Sequence, residues 1–379
     1  ETILKENPYK LCEDVDGIGF QTADKIANKM GISPLSEFRF RAGVLHVLKT
    51  ACDKTGNTYV LKTNLESDVC ELLKISVDDI NSNNVLNNLV MDSLIKIFEL
   101  DGQEVVVLTK YYNTEKIVGY TLNLFNTVHR NKNLDVTDSI NLFEQVNHIT
   151  MHKNQRDAVT LAINEGVSVI TGGPGTGKTT IVKCMLQIFK SMGKIVKLMA
   201  PTGRAAKRLS ESTGEDASTI HRALVVDFLG SDTFVYNQNN KLPFDVVIVD
   251  EVSMVDVQLM YYLVRALKRG TQLVLVGDKD QLPSVGAGNV LADIIASGVI
   301  SVCELTYVYR QDKDSLIISN AHLINDCKMP VINNKSTDFF FEEKSEPEAM
   351  LKSVVNLTYL RLPKFLNVDS AKIQVLAPM

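Results

Sequence analysis

The 379-residue sequence has no tryptophan and six cysteines, at positions 12, 52, 70, 184, 303 and 327, none of them in a Cys-x-x-Cys pair. That spacing leaves no zinc site and fits reduced thiols in a cytoplasmic protein. The six histidines are scattered without ligand spacing. No apolar run reaches the roughly 20 residues that a membrane span requires. The first residues show no signal-peptide pattern. Positive charge is not in excess: 40 Lys and Arg against 45 Asp and Glu leave a net charge of -5. A globally basic nucleic-acid binder is excluded, whereas a local basic groove is not. Repeats of fixed period and low-complexity tracts are also missing. The chain opens on Glu1 rather than Met and closes on the strand-like run 373–379, so both ends are expected to continue into a longer protein.

What is present is ordinary in bulk, with 45% apolar and 22% charged residues in a length that allows two or three domains. The informative element is local. Gly172-Gly-Pro-Gly-Thr-Gly-Lys178-Thr179 matches the P-loop spacing G-x-x-x-x-G-K-[ST]. Its glycines allow a tight backbone whose N–H groups point at phosphate oxygens. Gly173, Pro174, Gly175, Thr176, Gly177 and Thr180 would surround the phosphates. Lys178 would reach the β- and γ-phosphates, and the Thr179 hydroxyl would hold Mg²⁺. The apolar run 167–170 reads as the preceding strand and 180–189 as the following helix, whose N-terminus favours anions. A nucleoside triphosphate with Mg²⁺ is therefore the expected ligand.

From about residue 150, strand-like runs at 194–200, 245–249 and 272–276 alternate with helical stretches. Near-continuous apolar strands separated by helices predict an α/β fold with a parallel sheet covered on both faces. Asp250-Glu251 closes the second of these strands, 245–249, at the carboxyl end where such sheets bind ligands. Asp250 would hold Mg²⁺ through water, and Glu251 would polarise the attacking water. Gln281 follows the next strand and could sense the γ-phosphate; a simple polar turn is the other reading. Gln155, on a helix just before the P-loop domain, could pair both hydrogen-bonding edges of adenine. Thr202, Arg204, Lys207 and Arg208 gather where a helix begins, and Thr219-Ile-His221-Arg222 adds a second polar and basic cluster. Each suits contact with a phosphate backbone, or else a solvated helix face. Arg310 follows two tyrosines and could act as an arginine finger. Residues 225–243 break the strand–helix alternation and suggest an inserted hairpin.

Residues 1–150 are mainly helical in pattern. Within them, Gly17-Ile-Gly19 turns between two helical stretches as a helix-hairpin-helix does. Its N–H groups could grip a DNA phosphate, or the element could be a packing αα-hairpin that touches no DNA. Residues 85–98 read as a helix, followed by a turn at Asp101-Gly102 and the strand 104–108, an arrangement with winged-helix character. The polar stretch 131–147 reads as a linker or as a helix entering the next domain.

Taken in order, the motifs resemble superfamily 1 DNA helicases, most closely the RecD-like group. The resemblance is carried by the P-loop, Ala200-Pro-Thr-Gly-Arg-Ala-Ala206, Thr219-Ile-His-Arg222, Val249-Asp-Glu-Val-Ser-Met254 and 276–288. Asn7-Pro-Tyr9 together with 15–27 resembles the helix-hairpin-helix region of stand-alone RecD-like helicases. The resemblance implies a helix-hairpin-helix region over 1–85 and a small segment with linker over 86–150. A first RecA-like P-loop domain would span 151–309 with a duplex-splitting pin at 225–243, and 310–379 would begin a second, incomplete RecA-like domain. It also implies 5′-to-3′ movement on single-stranded DNA driven by ATP, a tailed duplex as substrate and a monomeric enzyme. Single-strand-binding or other repair proteins would be its partners, and no membrane is involved. Gln155 would recognise adenine and Arg310 would reach across the cleft. Gln281 would couple the γ-phosphate to DNA, while Thr202, Arg204 and His221 would line the strand and Gly17 and Gly19 would grip a phosphate. A chain holding only the start of the second domain is expected not to unwind by itself. The alternative reading is a DNA-binding ATPase switch or adaptor that does not translocate.

Overall fold

The structure, a computed structural model, describes residues 7–14, 18–129, 133–227, 233–307 and 315–377. The chain divides into two units, Glu1–Val308 and Tyr309–Met379.

The first unit begins with a helical module. A 3₁₀ turn, Pro8–Lys10, leads into α1 (Leu11–Asp14), α2 (Phe20–Lys29) and α3 (Glu37–Thr55). The strand β1 (Tyr59–Leu61) is followed by α4 (Lys62–Leu73), α5 (Val77–Ser82) and α6 (Val85–Met91). The strands β2 (Ile95–Leu100) and β3 (Gln103–Leu108) complete an antiparallel sheet in the order β1-β3-β2. On α2, Phe20, Ala23 and Ala27 recur at helical spacing and are buried against Phe40, Val44 and Leu48 of α3. The helix expected over 85–98 stops at Met91. Val85, Leu86 and Leu89 fill its buried face; beyond it the apolar period changes from helical to alternating, and Phe98 pairs with Val105 in β2. Asp101 and Gly102 both have positive φ, 50° and 76°, which gives the tight hairpin that the dipeptide predicts.

A partly buried charge cluster locks the N-terminus to this module. The Arg39 guanidinium donates to both Asp24 carboxylate oxygens, at 2.8 and 3.1 Å. It also donates to the Pro34 and Leu73 carbonyls, each at 3.1 Å. Tyr9 donates its hydroxyl to Asp24 at 2.7 Å. The Asn7-Pro-Tyr9 segment and Asp24, both within the family-like stretch, thus tie 7–10, α2, α3 and α4 together. Burial works against the Asp24 charge, but the Arg39 and Tyr9 hydrogen bonds outweigh it and hold its pKa below the usual carboxylate value.

Two long helices lead onward: α7 (Thr109–His129) and α8 (Thr137–Asn147). Most of the polar stretch 131–147 is therefore helix. Val118, Leu122 and Phe125 of α7 pack into the core of the next domain. That domain runs through α9 (Lys153–Asn164), β4 (Val167–Gly172), α10 (Lys178–Ser191), β5 (Val196–Ala200) and α11 (Gly203–Thr213). It continues with β6 (Ala217–Thr219), α12 (Ile220–Leu224), β7 (Val246–Val249), α13 (Val257–Ala266), β8 (Gln272–Gly277), α14 (Val290–Ser297) and β9 (Ser301–Leu305). Six parallel strands lie in the order β6-β5-β7-β8-β4-β9. Every residue of β4, β7 and β8 is buried, as strands covered on both faces require. The edge strands β6 and β9 are short or half exposed, so they lack the continuous apolar run that marks the central strands. Within 225–243, Val226 and Phe234 form an antiparallel bridge and Val235 N–H donates to the Val225 carbonyl at 2.8 Å. These are the paired bases of a hairpin whose residues 228–232 lie outside the described part.

The second unit contains α15 (Leu316–Asn325), α16 (Pro347–Asn356) and α17 (Leu362–Leu366). Asp338 organises the start of α15, accepting from Ser315 Oγ at 2.6 Å. Among its described residues only Asn320 is buried. The strand expected over 373–379 is not formed in 373–377, because no described strand of this unit is there to pair with it.

Replacing Arg39 with Ala removes one side of the partly buried pair and leaves Asp24 and the Leu73 carbonyl without their donor. Chemical denaturation should show a loss of about 3 kcal/mol. A loss under about 1 kcal/mol would mean that the cluster is solvated and does not hold the N-terminus.

Candidate active site

The cleft is built where β4, β7 and β8 end. Gly172 closes β4 against the edge strand: a Cβ there would lie 2.8 Å from Leu305 Cβ and 2.9 Å from Thr176 Oγ1. Gly175 and Gly177 have φ of 74° and 83°, a region open to glycine and strained for other residues. Thr176 is buried and donates its hydroxyl to the Gly173 carbonyl at 2.8 Å. The loop therefore keeps its shape through its own atoms.

Gln155 supports it from behind. Its Nε2 donates to the Thr176 carbonyl at 2.9 Å, and its Oε1 accepts from His152 N–H at 3.0 Å. It is 2% exposed and does not line the cleft. Both polar atoms of the amide have protein partners at the back of the loop. His152 caps α9 and stacks on Tyr307 with ring centroids 4.4 Å apart.

Lys178, the first residue of α10, folds its ammonium onto the Gly172 and Gly173 carbonyls, the latter at 3.0 Å. Burial lowers its pKa, partly offset by the nearby Asp278, Glu251 and Asp250 carboxylates. Across the cleft, Asp250 is pushed up to about 6, chiefly by burial and then by Glu251 beside it. Glu251 sits at φ 57°, a left-handed conformation that turns it away from the strand direction, and its N–H donates to Asp250 Oδ1 at 2.9 Å. The β8 end is bound to the P-loop strand through Lys279 N–H on Thr171 Oγ1, at 3.0 Å. This turn places Gln281 at the cleft.

The resulting cavity, about 380 Å³, brings Gly173–Thr179 together with Asp250, Glu251 and Gln281. Thr180 lies on the first turn of α10, beyond this lining. One wall was not anticipated: Ala205, Arg208, Leu209 and Ser212 of α11 face the P-loop. Their i, i+3, i+4, i+7 spacing was the available signal. Arg208, expected on the strand path with Arg204 and Lys207, belongs to the cleft. Asp278, 3% exposed, is a further carboxylate that acts on Lys178.

The remaining sequence-derived residues fall elsewhere. Thr202 caps α11, accepting from Ala205 N–H at 3.2 Å. Arg204 and His221 are exposed, the latter with its ring 5.9 Å from that of Phe234. Gly19 opens α2 at an exposed position with nothing near a prospective Cβ. Gly17 and Arg310 lie outside the described residues.

The donor set fits a nucleotide with its divalent cation. An ammonium and a glycine-shaped ring of backbone suit phosphates, and two adjacent carboxylates with one raised pKa suit a cation that would neutralise them. Among the described residues, no group of three or more His, Cys, Asp and Glu side chains could hold a metal. No helix among the described residues is long and apolar enough to cross a membrane.

The parallel sheet and this cleft define a P-loop NTPase domain. The family model described as an AAA domain matches residues 155–287, and that of the ATP-dependent RecD2 DNA helicase HHH domain matches residues 1–59. The two models thus match the P-loop domain and the N-terminal module separately. It is 31% identical over 334 residues to the ATP-dependent RecD2 DNA helicase of Deinococcus radiodurans, covering 84% of this chain and 44% of that protein. It is 41% identical over 182 residues to the RecBCD enzyme subunit RecD of Mycolicibacterium smegmatis, covering 42% of this chain and 33% of that one. A solved structure of Pif1 helicase from Candida albicans aligns with a TM-score of 0.38 and 24% identity, over 48% of this chain and 45% of that chain. The chain thus spans less than half the length of these relatives.

Because the fold holds the Asp250 proton more tightly than the unfolded chain does, this carboxyl costs stability increasingly as pH rises from about 4 to about 6. The full cost stands at neutral pH. Without nucleotide or metal, Asp250→Asn should therefore melt several degrees above wild type at neutral pH and show no advantage below about pH 4. A lower melting temperature at neutral pH would mean that the carboxylate is stabilised in place.

Proposed function

We propose that this chain forms the ATP-hydrolysing core and N-terminal module of a DNA helicase that moves 5′ to 3′ on single-stranded DNA. The observation that carries this reading is the single cleft formed by the P-loop, Asp250, Glu251 and Gln281. Each element has a separate task in phosphoryl transfer. Lys178 leaves the loop carbonyls for the β- and γ-phosphates, whose charge suits a buried ammonium better than neutral oxygens do. Thr179 and Asp250 would hold Mg²⁺, which when bound neutralises phosphate charge. Glu251 accepts a proton from the attacking water. Gln281 lies on the loop that leaves β8 and reports the state of the cleft to that loop. Gln155 acts on the nucleotide through the P-loop backbone that it holds in place. Arg310 is the proposed finger from the following segment.

DNA is the proposed track. Exposed Arg204 and His221, with Thr202 at the head of α11, line it; the 225–243 hairpin acts as the wedge, and Gly17 and Gly19 give a further phosphate contact. Single-stranded and tailed duplex DNA are the proposed substrates, and the enzyme acts as a monomer in the cytoplasm. Partial duplexes carrying either a 5′ or a 3′ single-stranded tail test the polarity in a strand-separation assay with the full-length protein. Unwinding from the 5′ tail alone is expected, and unwinding from the 3′ tail alone would overturn the polarity. ATP turnover indifferent to single-stranded DNA would instead favour a nucleotide switch without translocation.

A further inference from the structure

A second cavity, about 430 Å³, lies apart from the P-loop, between α7, α13 and the base of the inserted hairpin. Its volume falls in the range of about 300–1,000 Å³ typical of small-ligand pockets. The α13 wall presents Gln258, Tyr261, Tyr262 and Arg265, spaced i, i+3, i+4, i+7 along one face. The α7 wall presents Lys110, Asn113, Thr114 and Ile117 with the same spacing. Two facing helical stripes with that period are normally aliphatic where they only pack together; here Ile117 is the one aliphatic residue of the eight. The hairpin adds Phe234, Tyr236 and Gln238.

The chemistry of this lining is one-sided. In a chain of net charge -5, the cavity has two cationic residues and no Asp or Glu. Arg265 lies over the Tyr261 ring, 4.8 Å from its centroid. Lys110 is exposed and makes no ion pair among the described residues. Rings of Phe234 and Tyr262 meet edge to face at 5.0 Å. Gln258 Oε1 is closed to solvent and has no hydrogen-bond partner among the described residues; a turn of its amide into the cavity that it lines would let it accept a ligand N–H. Aromatic faces, side-chain amides and cations without acids match a nucleobase with its attached phosphate.

We propose that this cavity binds an unstacked nucleobase of single-stranded DNA beside the hairpin, with Gln258 accepting from the base edge and Lys110 meeting the backbone phosphate. This rests on the single-strand reading of the preceding section. The location gives the contact a consequence: α13 starts directly after the turn Val252–Met254 that follows Glu251. A base held there would therefore bear on the helix that follows the acidic pair in the chain.

The test uses an oligothymidylate with 5-iodouridine at single positions, irradiated on the full-length protein and followed by mass spectrometry. Adducts at Tyr236, Tyr261 or Tyr262 are expected. In parallel, the Lys110→Gln/Gln258→Ala double variant, which alters one exposed and one partly exposed side chain, should bind the same oligonucleotide about tenfold more weakly and bind ATP as wild type does. Adducts confined to other regions, or unchanged oligonucleotide affinity in the double variant, would overturn the proposal and leave the helicase reading intact. Failure of the wild-type protein to bind the oligonucleotide at all would overturn both.

Discussion

The cleft is a costly arrangement that the rest of the fold holds in place: an ammonium, two adjacent carboxylates and a ring of backbone groups lie close together with no direct ion pair between Lys178 and the acids. Burial pushes Lys178 down and Asp250 up, so each charge is less comfortable in the protein than in water. The arrangement persists because the surroundings over-determine it. Buried strands β4, β7 and β8 fix the positions of the loop, the acidic pair and the Gln281 turn. Gln155 and Thr176 fix the loop from within. A ligand that brings negative phosphates to the lysine and a cation to the acids would relieve both charges at once.

The N-terminal module relies on a similar principle with the opposite outcome. There Arg39, Asp24 and Tyr9 satisfy one another directly, and the cluster is structural. Contact between the two parts is specific: the Gly288 N–H donates to the Gly56 carbonyl at 2.8 Å, joining the loop after Gln281 to the end of α3. The loop that leaves the cleft is therefore braced on the module that precedes it.

Much of this was legible from residues. The P-loop, the acidic pair and the apolar strands announce themselves because buried parallel strands and phosphate loops demand restricted residue types at fixed spacing. The edge strands β6 and β9 did not, since a short or half-exposed strand carries no continuous apolar run. The helix expected over 85–98 ends at Met91, because the helical period of Val85, Leu86 and Leu89 gives way to an alternation that pairs with β3. Gln155 reads from sequence as an adenine contact; its burial and its two hydrogen bonds to the protein, which sequence cannot reveal, tie it to the back of the loop. Arg208 was grouped with its basic neighbours, and only the packing of α11 against α10 turns it into the cleft. The second cavity was invisible for the same reason: α7 and α13 are separated by more than a hundred residues and share a lining only in the fold.

The central claim is that this cleft hydrolyses ATP with Glu251 as the base. Turnover by Glu251→Gln, measured with single-stranded DNA present and alongside ATP binding, tests it most directly. The account predicts ATP binding close to wild type with hydrolysis reduced at least about 100-fold. Hydrolysis retained within a few-fold of wild type would contradict it.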